Sequence, residues 1–440
     1  MLNKIRSSLF DFRAISIGLV VYVYFFYFKR VFFSASQNRI SKKDKLNIIH
    51  INTFDKGGGA AKIAFQLMEE QNRKGHDAKL LVGLKKSDNS NVFQIPFIHS
   101  RWRKYFKRAT EILQWPGLLE FDSLFISRMN IIKSADVIHL HNLHGDYFSL
   151  FTLLSLKGKK IVWTLHDMHG FTGHCAHSFD CNKWRLGCGK CPNLDTYPSL
   201  KKDTSAFLWM TRKVLFSKLN ISIVTPSNWL LELVNESYLR HLDSTLIYNG
   251  VDTSIYKLKD KTSCRNHLGI PLNKKVILFS AELGVKNIYK GGKYIDRLLK
   301  DQEFEDVLFI NIGGDTTLKK DNSWNVQYVS DEVEMANYYN ASDVYLYPSL
   351  ADNCPLVLLE AKGCGIKIVS FNVGGIPEIV NNSKIGLISD KYDFKSLKGN
   401  FNKVLNEIKN DELLGNIKTD KIDFSLERMM SEYEVFYFNS

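Results

Sequence analysis

Nothing in this chain reads as a disulfide framework. Only seven of its 440 residues are cysteine, four gathered between Cys175 and Cys191 and three scattered, which is unlike the even spacing of small secreted folds and points to a reducing compartment. Long apolar runs are missing too. The one candidate, Ala14–Phe28 (AISIGLVVYVYFFYF), has 15 residues, short of the roughly 20 that a spanning helix ordinarily needs. There is no short-period repeat and no low-complexity tract. No G-x-G-x-x-G fingerprint or Walker sequence follows a strand, which argues against a dinucleotide oxidoreductase. Acidic residues are in deficit, 46 against 59 basic ones, leaving a net charge of +13. The partner is therefore anionic: nucleic acid, acidic lipid or a phosphorylated small molecule. No nucleic-acid module accompanies the charge, which sets the first of these aside.

Lys4, Arg6 and Arg13 precede the apolar run and Lys29 and Arg30 follow it. Its tyrosines and phenylalanines suit a membrane interface, and snorkelling charges at both ends lengthen a marginal span. Residues 1–44 are expected to be a retained anchor, spanning or interfacial, with a basic linker. The alternatives are a signal cleaved in VFFSASQ and a buried helix. A second basic stretch, RWRKYFKRATEIL from Arg101 to Leu113, has an apolar stripe flanked by cations on a helix. That suits an interfacial membrane helix and equally a core-packed stripe with a solvated basic face.

The remaining length exceeds one ordinary core, so two domains of roughly 150 to 200 residues are expected. Short β-branched runs alternate with longer amphipathic segments: LNIIHIN, AKLLVG, VIHLH, KIVWTLHD and ISIVTPS, then KVILFSA, VLFINIGG, VQYVS, VYLYPS and IKIVSFN. Two tandem parallel sheets with crossover helices follow from this order. IYNGVDTSIY (Ile247–Tyr256) carries the turn signals of a linker between them.

Ligands of open parallel sheets bind beyond the carboxyl ends of the strands. DKGGGAAK (Asp55–Lys62) places three glycines between the first strand and its helix, which allows close backbone approach and offers free N–H groups to a phosphate. SLADNCPLVLLEAKGCG (Ser349–Gly365) places Asp352 in a loop and Glu360 two turns into the next helix. With sugar hydroxyls between them two such carboxylates act as acceptors; the alternative for each acid alone is a solvated loop position or a helix cap. GGIPE (Gly374–Glu378) is another glycine turn suited to close approach by a ligand.

In this order and spacing, GGGAAKIA, TLHD, TPSNWLLELV, YNGVD, ASDVYLYPSLADN, LEAKGCG and GGIPE resemble the retaining nucleotide-sugar glycosyltransferases of family 4, from about Leu46 to the end of the chain. HDMHGFTGHC with CGKCP is similar to a branch that builds exopolysaccharide and O-antigen chains. The resemblance implies a GT-B fold: two Rossmann-like domains with parallel sheets facing a cleft. Residues 45–246 would form the acceptor domain and 247–423 the nucleotide-sugar domain, with a C-terminal helix over 424–440 packing back on the first. It implies that Glu360 accepts from the donor's ribose. It also implies that the preceding acid, usually Glu but here Asp352, holds sugar hydroxyls. Lys290 would grip the diphosphate. The family's companion Arg falls at Val285, leaving Lys286 as the nearest substitute, without the bidentate fork. His166 would meet the donor sugar near the reacting carbon, with Asp167 orienting its loop. Gly58, Gly59, Asn353, Cys354, Gly374 and Gly375 complete the implied donor site. The leaving diphosphate itself would accept the incoming proton, so no catalytic metal or other catalytic cofactor is implied. The implied partners are a nucleotide-sugar donor, a glycan or lipid-linked acceptor and the cytoplasmic face of the cytoplasmic membrane. An inactive GT-B scaffold that binds glycan or partner enzymes is the rival reading, supported by the departures at Asp352 and Val285.

Cys175, Cys181, Cys188 and Cys191 form C-x5-C-x6-C-x2-C. A structural zinc site is expected, with His174 or His177 able to replace one thiolate; disulfides and plain packing are the alternatives.

Overall fold

The computed structural model describes residues 45–97, 101–380, 382–409 and 423–439. The expected N-terminal anchor lies outside them. Among the described residues no helix is long and apolar enough to cross a membrane.

The described chain divides into two compact units. One runs to Thr225 and adds Leu231–Leu246 and the residues from Tyr437. The other holds Pro226–Leu230 and Ile247–Phe436. In the first unit, β1 (Asn47–Phe54), β2 (Asp77–Leu84), β3 (Val92–Gln94), β4 (Val137–Leu140), β5 (Lys160–Thr164), β6 (Ser222–Thr225) and β7 (Ser244–Leu246) form one sheet in the order 3-2-1-4-5-6-7. Every adjacent pair is parallel. Strands covered on both faces must be apolar along their length, which is why β1 and β4 read as continuous hydrophobic runs rather than alternations. The helix Gly59–Arg73 (α1) follows β1 and buries Ile63, Ala64, Leu67 and Met68.

In the second unit β8 (Lys275–Ser280), β9 (Val307–Gly314), β10 (Leu318–Lys319), β11 (Ser323–Gln327), β12 (Val344–Tyr347), β13 (Lys367–Phe371) and β14 (Gly386–Ser389) are ordered 10-11-9-8-12-13-14. Among the described residues only the β10–β11 pair is antiparallel. Apart from that edge hairpin, both units repeat the doubly wound order. Its reversals fall between β1 and β4 and between β8 and β12, where ligands of such sheets bind.

Two expectations change, and a choice between two alternatives is narrowed. The strand expected at VQYVS begins earlier, at Ser323, and ends at Gln327, because Trp324 and Val326 are the residues it buries. The expected linker is pinned: Val251 N–H donates to Phe424 O (3.0 Å), and Leu426 N–H donates to Val251 O (2.9 Å). A Cβ on Gly250 would sit 2.3 Å from Ser425 O, so the Asn-Gly signal marks a close backbone crossing. On the basic helix Arg101–Leu113 (α2), Phe106 and Ala109 are buried while Tyr105 and Ile112 are exposed. Phe106 packs on Phe121 at 5.0 Å, and Arg103 Nε donates to Asp122 (2.6 Å). The middle of the stripe is thus core.

Candidate functional site

β12 ends at Tyr347, and its loop runs through Asp352 to the helix Leu356–Gly363 (α5 below, after α3, Ser205–Phe216, and α4, Glu332–Ala341). Asp352 is gripped from three sides. Lys290 Nζ donates to Oδ1 and Oδ2 (2.8 and 2.7 Å), Tyr347 OH to Oδ2 (2.7 Å), and Ser349 OH to Oδ2 as well. Lys290 also reaches Tyr347 OH at 3.0 Å. Burial pushes the Asp352 carboxyl up, but the Lys290 charge and these hydrogen bonds outweigh it and hold the group below the usual carboxylate range. Asp352 is therefore an anion with its cation already in place. Tyr347 and Ser349 carry no signal as site residues in the sequence; only the turn after β12 brings them to Asp352.

Glu360 lies on α5, 5% exposed, and accepts from Tyr339 OH of α4 at 3.1 Å. The two acids thus have separate protein partners. Asn353 accepts from Ser227, and the Cys354 carbonyl accepts from Asn249 Nδ2 (3.1 Å). Burial pushes the Cys354 thiol up to about 12. Lys286 is exposed and faces Asp315 at 3.2 Å. Val285 lies in the tight turn Gly284–Lys286, and its carbonyl oxygen sits 1.8 Å from where a Gly292 Cβ would be.

The glycines of GGIPE make close approaches within the protein. A Cβ on Gly374 would lie 1.6 Å from Asp352 O, and one on Gly375 2.1 Å from Asn353 O. These glycines let one backbone press on another and so hold the Asp352 loop; the close approach is to protein. Glu378 caps the start of an earlier helix, Asn228–Glu236, accepting from Asn228 N–H (2.8 Å) and Trp229 N–H (2.7 Å).

In the first unit Gly57–Gly59 are exposed. Gly58 has φ +81°, and nothing lies within 4 Å of the place a Cβ would take there. The helix it precedes, α1, has no side-chain cap. Its first N–H groups suit an anion. His166 follows β5 and pairs with His141 (His141 Nδ1 to His166 Nε2, 3.0 Å). Burial drives its pKa down to about 4, so it is a neutral imidazole at pH 7. Asp167 ties its own loop: Oδ1 accepts from His169 N–H (2.8 Å) and Oδ2 lies 2.9 Å from His144 Nε2. The array formed by His50, His139 and His141 was missed by sequence reasoning, although His139 and His141 in VIHLH alternate onto one strand face.

The four cysteines are free thiols in a segment whose regular structure is one short 3-10 turn, Lys183–Arg185. Gly173 N–H donates to Cys188 Sγ (3.2 Å), and His174 Nε2 lies 3.4 Å from Cys191 Sγ. Burial pushes Cys175 up to about 12 and Cys188 up to about 11. Among the described residues the tight group of metal-ligating types, with ligand atoms within 4.8 Å, is His50, His139 and His141, not the thiols.

Two family models match the chain. Residues 57–255 match Glycosyltransferase Family 4, and 260–419 match Glycosyl transferases group 1. The chain belongs to this glycosyltransferase family. It is 23% identical over 421 residues to the putative colanic acid biosynthesis glycosyl transferase WcaC of Escherichia coli, covering 90% of this chain and all of that protein. Among solved structures, sucrose-phosphate synthase of Thermosynechococcus elongatus has TM-score 0.62 and 14% identity, covering 89% of this chain and 98% of that one. Anabaena Alr3699/HepE, solved with UDP and glucose, has TM-score 0.58 and 14% identity, covering 90% of this chain and 100% of that one. These likenesses show the fold of a glycosyltransferase. The matched ranges meet near the boundary of the two units, and the second contains Lys290, Asp352 and Glu360.

Proposed function

We propose that this glycosyltransferase moves a sugar from a nucleotide-sugar donor to a hydroxyl of a surface-polysaccharide glycan, carried on lipid, with retention at the anomeric carbon. The observation that carries the reading is the Lys290–Asp352–Tyr347–Ser349 cluster at the β8/β12 reversal, one loop ahead of Glu360. Lys290 supplies the positive charge that a leaving diphosphate needs. Asp352, released as Lys290 turns to phosphate, becomes the acceptor for sugar hydroxyls, and Glu360 exchanges its Tyr339 bond for the ribose. Stabilising charge on the leaving group is the main source of rate in such a site. Because that charge comes from Lys290 and helix N-termini, transfer should proceed in the presence of a chelator.

The likeness to WcaC supports a glycan acceptor and the likeness to Alr3699/HepE supports a UDP-sugar. The test is a thermal-shift screen of UDP-, GDP- and ADP-sugars, followed by NMR of the product's anomeric configuration. One nucleotide sugar should stabilise the protein and be turned over with its configuration kept. Stabilisation by none of the three, with no donor hydrolysis, would leave the inactive scaffold.

We also propose that the cysteine segment takes a structural zinc. Arg212 on α3 is buried and donates to the carbonyls of His169 and Thr172 (2.9 and 2.8 Å), and among the described residues to no carboxylate. A zinc–thiolate group would be its counter-ion, since ligation keeps thiols deprotonated. Metal analysis of untagged protein should find about one zinc per chain, lost in Cys188→Ser and Cys191→Ser; four titratable thiols and no metal would refute it.

A further inference from the structure

His50 on β1 is the register partner of His139 on β4, and His139 and His141 alternate onto the same face. All three are buried. Three ring nitrogens within 4.8 Å resemble a metal centre, but each of their six nitrogens already has a hydrogen-bond partner. His50 Nε2 meets Gln71 Oε1 at 2.7 Å, and His50 Nδ1 meets His141 Nε2 at 3.0 Å. His141 Nδ1 meets His166 Nε2 at 3.0 Å. His139 lies between Tyr437 OH (2.6 Å, Nδ1) and Thr164 Oγ1 (2.7 Å, Nε2). Gln71 joins the two branches, its Nε2 donating to Tyr437 OH at 3.3 Å.

A neutral imidazole has one N–H and one acceptor nitrogen, so such a chain runs in a single direction set at its end. Gln71 Oε1 can only accept, which places the His50 hydrogen on Nε2 and makes His50 Nδ1 an acceptor. His141 must then donate from Nε2 and accept at Nδ1. His166 must donate from Nε2. Turning the Gln71 amide over would reverse every link. Burial, which lowers the basicity of His50, His141 and His166, keeps all three rings neutral at pH 7 and so preserves the single direction.

We infer that Gln71, acting through His50 and His141, is a positioning residue that fixes the tautomer of His166, with hydrogen on Nε2 and Nδ1 an acceptor. This rests on the reading that His166 meets the donor sugar. In this tautomer the His166 ring carries an acceptor nitrogen and no positive charge, which suits a hydroxyl and not an anionic group.

The test is nitrogen NMR of the full chain labelled at histidine, with His166 assigned by substitution. The wild type should show His166 protonated on Nε2. Gln71→Met, which keeps side-chain size but removes the acceptor, should give mixed tautomers and lower turnover by about tenfold at little-changed donor KM. Gln71→Glu, still an acceptor, should restore the Nε2-protonated form and recover turnover relative to Gln71→Met. His166 protonated on Nδ1 in the wild type overturns the inference, as does an unchanged tautomer in Gln71→Met or a stoichiometric metal bound at His50 and His141. If Gln71→Met does not fold, the wild-type spectrum alone decides. A tautomer that shifts while turnover does not would uphold the relay and remove His166 from the donor site.

Discussion

Lys290→Met is expected to lower the stability of the second unit by about 2 to 4 kcal/mol and to abolish donor binding. The Asp352 side chain is 14% exposed and that of Lys290 29%, so removing the cation strands a carboxylate that water reaches poorly, and broken buried pairs cost on that scale. Asp352→Asn should cost less, because an amide keeps the Tyr347 and Ser349 contacts without the charge. Adding Asp352→Asn to Lys290→Met should therefore recover part of the lost stability, as coupled neighbours do. Denaturant titrations of the four proteins measure the coupling. Additive losses would mean that the pair is solvated and that the cluster is not the preorganised anion site described above. Donor binding by the double variant separates the roles further, since stability returns but the phosphate cation does not.

Acid should unfold the first unit well before its Asp167 carboxylate titrates. His50 and His166 have folded pKa values of about 4 against an ordinary value of 6.5, and His139 and His141 are displaced the same way, all by burial. A depressed pKa means that the unfolded chain takes up protons the folded chain refuses. Stability is thus full above about pH 6.5 and falls as the pH drops toward 4, by about 1.4 kcal/mol per pH unit for each such group. With at least two groups acting together, the denaturation midpoint should fall steeply between pH 6.5 and 4.5. Asp352 and Asp167, which lie below the usual carboxylate range, contribute only at lower pH. A midpoint flat over pH 6.5–4.5 would mean that the histidines charge without unfolding the sheet, and that the rings are not buried as neutral species.

The legible part of the site was the part carried by local sequence. Asp352 and Glu360 stand at a strand end and inside a short helix, positions that spacing defines, whereas Lys290 was named only by the family resemblance. The glycines of GGIPE were legible as close-approach residues, but what they approach was not. Only the fold shows that Gly374 and Gly375 press on the backbone of Asp352 and Asn353. Tyr339, Tyr347 and Ser349 look like ordinary residues in the chain, and become ligands of the two acids because α4, β12 and its loop converge on them.

The alternation of apolar runs and amphipathic segments was enough by itself to determine two parallel α/β sheets, because strands buried on both faces must be continuously apolar. It also placed the chemistry beyond the strand ends. Strand order and the meeting of distant side chains were decided by tertiary structure. His50, Gln71, His139 and Tyr437 come from two strands and two helices, including the last one, Leu426–Asn439. No local periodicity can report that their polar atoms satisfy one another, since hydrogen-bond partners hundreds of residues apart are chosen by packing of the buried sheet face and not by neighbours in sequence.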